Sequence, residues 1–540
     1  MTIKQPARAG LAQRITRSCA WLAVACVCAC GGGGDDGSTP AVPQGPPSNA
    51  PGPEPNGSWS PGIFLPSAFF AGQCAAPRPG TADIQGSVLT ENNWLRSWSN
   101  ELYLWYDEIE DRNPALYSTP RYFDLLKTFE LVDGKPKDRF HFMLPTEEWE
   151  QYAQSGSGTS YGVQWVIVRN DPPRRLVAGY TQPFSPATDA GIERGAEVLE
   201  VDGVDLATAF TPAEVDVLNH GLFPATPGET HRLLIRDPGE QEPREVELTA
   251  AIVTSVPVQN VTTVQTPSGE RVGYLHFTDH LAASELLLVQ AITRLRDEGV
   301  SDLVLDIRYN GGGLVAIASE LAYMIAGPGP TAGRNFEFSR FNDKHTATNP
   351  VTGLPLAPMP FFDEALGFSA LPGEPLPTLG LSRVYVITGA TTCSASESII
   401  NGLRGADFEV IQIGSTTCGK PYGYYPHDNC GTTYFSIQLQ AVNDKGFGEY
   451  QDGFSPGNTL GPAGVRLPGC SVADDFSKPL GDPTEARFAA ALQHRVDGSC
   501  PVPEAAVSRP GLFKPLEAAS AVDGVAPKSP WLENRILVEP

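Results

Sequence analysis

Hydrophobic and polar positions follow three different rhythms along these 540 residues. Between 88 and 130, Trp94, Trp98, Leu102, Trp105 and Ile109 recur every three or four positions. That spacing gives a helix one apolar face and predicts a helical region with Thr90 as N-cap. From 158 to 255 the rhythm shortens into alternating strands and tight turns. From 271 it lengthens into strands separated by helices. Strands are predicted at 273–277, 302–307, 384–388 and 408–413, with helices at 281–298, 314–325 and about 394–404. The segment 302–307 (DLVLDI) is almost continuously apolar, as a strand covered on both faces must be. Strands alternating with helices predict a layered α/β core. A Gly- and Pro-containing insertion at 327–382 interrupts it, with Phe336, Phe338 and Phe341 marking a short strand.

The first thirty residues follow none of these rhythms. Lys4, Arg8, Arg14 and Arg17 precede an apolar run of twelve, Cys19 to Cys30. Such a run is too short to span a bilayer and fits a secretory signal. Its end, Val27-Cys28-Ala29-Cys30 before four glycines, resembles the lipobox of bacterial lipoproteins. The resemblance implies lipidation at Cys30, with Cys26 a less favoured site, and anchoring by acyl chains alone. Residues 31–62 then hold nine Gly and eight Pro, a composition that cannot bury a core and reads as a tether.

The formal charge of −24, without any basic stripe, argues against nucleic acid as a partner. Outside the signal there are six cysteines: 74, 393, 418, 430, 470 and 500. An even number in an exported chain predicts disulfides. Proximity favours Cys418–Cys430 and Cys470–Cys500; a bridge between Cys393 and Cys418 is a further option. No Cys/His spacing for a metal is present, and no cofactor is expected.

Three segments carry chemistry. Thr388-Gly389-Ala390-Thr391-Thr392-Cys393-Ser394-Ala395-Ser396-Glu397-Ser398 joins an apolar strand to a helix. Ser394 there lies at the end of a sheet, with the unpaired N–H groups of a helix N-terminus behind it. Taken alone, the segment reads better as a capping box formed by Ser394 and Glu397 than as a catalytic turn. Gly414-Ser415-Thr416-Thr417-Cys418-Gly419-Lys420-Pro421-Tyr422 holds a lysine with no carboxylate within seven positions on either side. A desolvated lysine loses its proton readily and can then take one from a serine hydroxyl. Asp306-Ile307-Arg308-Tyr309-Asn310-Gly311-Gly312-Gly313 lets backbone N–H groups approach a ligand, as half of an oxyanion hole. The phosphate-loop spacings are absent from it.

These three segments, in this order, resemble the C-terminal processing (tail-specific) serine peptidases, which show D-[LIV]-R-x-N-x-G-G, then S-A-S-E, then F-G-K-G. The resemblance covers roughly 85–500. It implies Ser394 as nucleophile, Lys420 as general base, and an oxyanion hole from Ala395 with Gly312 or Gly313. A glutamine often found four residues after the lysine is Tyr424 here, which leaves the orientation of Lys420 to a tyrosine hydroxyl or to another group. Some distant relatives use histidine as base, so His276 is a reserve candidate, with His280 nearby. Residues 190–203 (AGIERGAEVLEVDG) resemble the PDZ signature, which implies peptide binding near Tyr161, Gly162 and Val163.

The implied organisation is a signal peptide at 1–30, a linker at 31–70 and an N-terminal helical region at 71–150. A PDZ-like domain follows at 151–258, then a crotonase-like α/β peptidase core at 259–500 and a tail at 501–540. The implied function is an endopeptidase of the bacterial envelope. It would be lipid-anchored, face the periplasm, touch the membrane through that anchor only, and cut unstructured or C-terminal polypeptide. A catalytically inactive peptide-binding scaffold of the same fold is the alternative. Substrate identity and oligomeric state are not legible.

Overall fold

The structure, a computed structural model, describes residues 59–170, 172–502 and 535–536. The signal sequence, Cys30 and most of the linker and the tail therefore lie outside the described residues.

The tryptophan stripe forms a helix, α1 (Val88–Leu102), that is shorter than the periodicity predicts. Its N-cap is Ser87, whose hydroxyl accepts from the Thr90 N–H, so Thr90 is the third helical residue rather than the cap. The capping box stands one turn earlier than expected because Thr90 Oγ1 also accepts from the Ser87 N–H. Trp105 and Ile109 fall beyond the helix but still pack beside it.

The β-rich region folds as a main antiparallel sheet and a separate antiparallel pair of Ser157–Ser160 with Ala251–Thr254. The strands of the main sheet are β1 (Val163–Arg169), β2 (Arg175–Thr181) and β3 (Glu197–Val201), then helix α2 (Pro212–Leu222), then β4 (Thr230–Arg236) and β5 (Arg244–Thr249). The order is β5-β4-β3-β2-β1, which leaves β1 at the edge. Helix α2 did not show in the alternating pattern; Thr211 caps it with Glu214 in a capping box.

The core follows as β6 (Val258–Gln265), β7 (Arg271–Phe277), α3 (Ser284–Asp297), β8 (Asp302–Asp306), β9 (Gly313–Leu314) and α4 (Val315–Ala326). Next come β10 (Arg383–Thr388), α5 (Ala395–Gly405), β11 (Glu409–Gly414), β12 (Tyr422–Gly423), β13 (Gly469–Ser471), α6 (Ala486–Asp497) and β14 (Arg535–Ile536). The central sheet runs β6-β7-β8-β10-β11-β13, antiparallel only at β6–β7.

Side chains alternate across this sheet with period two. Leu275, Phe277, Leu303, Leu305, Val384, Val386 and Val410 pack against α3, α4 and α5. Tyr274, Val304, Tyr385, Ile387, Ile411 and Ile413 pack on the other face with Phe488 of α6. Both faces are covered, which is why β8 reads as an unbroken apolar run.

The turn after β8 is locked from below. Arg308 is fully buried and reaches Asp306 (3.0 Å), Asp474 (2.6 Å) and both oxygens of Glu485 (2.9 and 3.0 Å). Asp474 also takes Arg194 of the antiparallel unit (2.7 Å) and the Tyr309 hydroxyl (2.5 Å). A buried guanidinium is tolerated only with this degree of pairing. The same ions tie the antiparallel unit to the loop that leads to Gly312.

Candidate active site

Ser394 stands between β10 and α5 with φ 59° and ψ −119°. A positive φ is costly for a residue with a Cβ and persists only where the surroundings impose it. Here Cys393 N–H donates to Asn310 O (3.1 Å), Ser396 Oγ to the same carbonyl (3.2 Å) and Thr392 Oγ1 to Ile307 O (2.8 Å). The strained turn is thereby clamped to the loop after β8. Ser394 N–H donates to Glu397 Oε2 (3.0 Å), the glutamate half of a capping box. The serine half is missing: Ser394 Oγ is buried and makes no hydrogen bond among the described residues. The hydroxyl is kept out of the capping role that the sequence offered it.

Glu397 does more than cap. Its Oε2 also accepts the Lys420 backbone N–H (2.8 Å), and its Oε1 accepts Gly419 N–H (2.9 Å) and Thr417 Oγ1 (2.5 Å). Burial pushes its carboxyl above the usual range, against the pull of these donors. One carboxylate thus holds both the serine turn and the lysine loop. A disulfide between Cys393 and Cys418 (Cα–Cα 5.2 Å) makes the same tie covalently, and Cys418 N–H donates to Thr392 O (3.0 Å) beside it.

The expected Cys418–Cys430 pairing is overturned, because β10 and β11 are adjacent parallel strands whose ends bring 393 and 418 together. Cys430 lies in a hairpin that packs on the N-terminal region and bonds Cys74, while Cys470 bonds Cys500 as expected. The clusters Cys393/Glu397/Cys418 and Cys470/His494/Cys500 are each built on a disulfide, which offers a metal no thiolate.

Lys420 is fully buried. Its Nζ donates to Tyr424 Oη (3.3 Å) and lies 4.4 Å from the Tyr424 ring centroid and 4.9 Å from that of Phe140. Tyr424 therefore stands where the sequence put it, beside the amine. A direct hydrogen bond from Ser394 Oγ to Lys420, which the sequence leads one to expect, is not formed in this structure.

Gly312 and Gly313 have φ of +105° and +132°. A Cβ on Gly312 would lie 2.8 Å from Ser394 Cβ, so nothing larger fits beside the serine. Of the two candidate N–H groups, that of Gly312 is already committed to Asn310 Oδ1 (2.9 Å). His280 N–H donates to Gly312 O (3.1 Å) and Leu314 N–H to His280 O (2.9 Å). Residues 312 and 314 thus face His280, and the Gly313 N–H and C=O face the opposite side. Ala395 N–H belongs to the first turn of α5, where the helix dipole adds partial positive charge.

The reserve base is placed elsewhere. His276 pairs in register with Asp306 and stacks edge-on against Tyr180 (5.2 Å). Burial lowers its pKa to about 4, and neither ring nitrogen has a hydrogen-bond partner among the described residues. It is a neutral core residue. His280 is a loop-positioning residue, since its Nδ1 meets Asn310 Oδ1 (3.1 Å).

Tyr161, Gly162 and Val163 are remote from this turn in sequence and lie at the start of β1. The carbonyls of Tyr161 and Gly162 accept from Ala187 (2.9 Å) and Gln182 (2.7 Å), and Gly162 N–H donates to Ser160 Oγ (3.1 Å).

Glu397 was visible in the motif only as a cap. Its hold on Lys420 depends on the loop after β11 folding back, which no local pattern encodes. Phe140, 280 positions before Lys420, gave no signal at all.

Residues 271–441, which span all three chemical segments, match peptidase family S41. A carboxyl-terminal-processing protease of Picosynechococcus is 28% identical over 191 residues, 34% of this chain and 43% of that protein. Carboxyl-terminal-processing peptidase 1 of Arabidopsis thaliana, a chloroplast protein, is 32% identical over 250 residues, 44% of this chain and 42% of its own. The matches span about two fifths of the length of these relatives. A crystal structure assigned to the S41 proteases, from Bacteroides fragilis, superposes with a TM-score of 0.55 at 22% identity, over 75% of this chain and 97% of that one. It shares the fold. Residues 271–441, which hold all three chemical segments, are therefore similar to peptidase family S41.

Proposed function

We propose that the chain is a serine endopeptidase in which Ser394 attacks the scissile carbonyl and Lys420 takes its proton. The observation that carries this reading is the pairing of a strained, buried, unbonded serine hydroxyl with a lysine whose backbone hangs on the same glutamate oxygen. The Lys420 amine is buried against the rings of Tyr424 and Phe140. A rotation of the lysine side chain from Tyr424 toward Ser394 brings amine and hydroxyl together. As the Oγ–C bond forms, the proton passes to Nζ and the carbonyl oxygen becomes an oxyanion. Ala395 N–H and Gly313 N–H supply donors for it; Gly312 serves by being small. Lys420 then protonates the leaving amine, and water releases the acyl group by the reverse sequence.

The antiparallel unit is, in this reading, a PDZ-like domain whose edge strand β1 pairs with polypeptide, joined to a crotonase-like core. Its partners are unstructured or C-terminal segments of envelope proteins. The lipobox-like start would anchor the enzyme facing the periplasm. Cleavage of a disordered protein by the wild type, Ser394→Ala and Lys420→Ala tests the reading. Full activity in either variant rejects it, and inactivity of the wild type favours a peptide-binding scaffold.

A further inference from the structure

Strand β9 has two edges, and both are taken. One faces His280, through the bridge His280↔Gly313. The other is paired in parallel with β14, in the register Gly313↔Arg535 and Leu314↔Ile536. This second edge is the one toward which the Gly313 N–H and C=O point, since Gly312 C=O and Leu314 N–H are the groups that bond His280. The same two residues, Arg535–Ile536, also have Cα atoms within 8 Å of β12, which begins two positions after Lys420. Gly312, immediately before β9, abuts Ser394. Arg535–Ile536 therefore lie beside the strand that follows the glycine loop and near the strand that follows the lysine.

We infer that the edge of Gly313–Leu314 is the strand that receives polypeptide at the catalytic site, and that the segment about Arg535–Ile536 is its resident occupant, acting as an inhibitor in cis. The inference rests on the peptidase reading above. Pairing through backbone groups accepts many sequences, which suits both a broad substrate range and occupation by the chain itself. A polypeptide paired along this edge would present its carbonyls to Gly313 N–H, so β14 and substrate compete for the same backbone groups. Because the segment is covalently attached, its hold does not depend on protein concentration.

The test compares the full chain, a chain lacking residues 503–540, and Ile536→Pro, which removes a backbone donor from β14 and leaves the rest of the fold untouched. Initial rates are read on fluorescein-labelled casein, and Ser394 acylation is read with a fluorophosphonate probe. Both altered chains should cleave and label at least tenfold faster than the full chain, at a ratio independent of enzyme concentration. Equal rates in all three overturn the inference and leave the peptidase intact. A full chain whose specific activity falls as its concentration rises assigns the segment to a second copy and overturns the cis reading. No cleavage and no labelling in any form overturns the peptidase reading itself.

Discussion

Ser394 and Lys420 share an acceptor: Glu397 Oε2 takes the backbone N–H of both, at 3.0 and 2.8 Å. Two segments 26 positions apart are thus set against each other by main-chain bonds, before either side chain acts. Lys420 Nζ meanwhile donates to Tyr424 Oη (3.3 Å).

The Cys393–Cys418 bridge reinforces the same tie, whereas Cys470–Cys500 lies on the far face by α6. Their loops are of similar length, so the chain-entropy account gives each about 3 kcal/mol of stability. Replacing either pair with serine should lower Tm by a similar amount. Only the Cys393/Cys418 replacement should also reduce kcat. Calorimetry and steady-state kinetics on the two double variants check this.

Tyr424→Phe removes one hydroxyl and keeps the ring that packs on Phe142 and Phe435. If Tyr424 positions the amine, kcat should fall about tenfold with KM unchanged, less than the roughly 100- to 10,000-fold loss of the proton-transfer group itself. The pH–rate profile should shift as well, which a purely structural loss would not produce. An unchanged profile removes Tyr424 from the mechanism.

The buried ion cluster predicts acid sensitivity. Burial alone would raise the Asp474 carboxyl, but Arg487, Arg308 and Arg194 outweigh it and hold it far below the ordinary range. A depressed folded-state value means stability that is present above the unfolded value near 4 and is lost as pH falls below it. The wild type should lose about 1.4 kcal/mol per pH unit from this group once below pH 4. Asp474→Asn should be less stable at pH 7 and flatter in acid. Urea unfolding between pH 3 and 7 measures both, and an equally steep acid limb in the variant would contradict the assignment.

The α/β core was legible because its strands are covered on both faces: β8, β10 and β11 announce themselves as apolar runs. The three chemical segments were legible because each sits where a strand ends and the chain must turn. The N-cap of α1 was misplaced by one turn because Thr90 also fits a capping pattern, and only the Ser87–Thr90 bonds decide between them. The Cys74–Cys430 bridge spans 356 positions and depends on how the N-terminal region packs, which proximity along the chain cannot reveal. The commitment of Gly312 N–H to Asn310 Oδ1 depends on a side chain two positions earlier turning back, which the glycine run does not announce.

The central claim is that Lys420 activates Ser394. The most direct measurement is the rate of Ser394 phosphonylation by a fluorophosphonate as a function of pH, in the wild type and in Lys420→Met, which keeps the buried volume. The account predicts a single adduct on Ser394 whose rate rises through one ionisation in the wild type. In the methionine variant that ionisation should be absent and the rate at least about 100-fold lower, the scale of general-base assistance. Equal rates and equal pH dependence in the two proteins would contradict it.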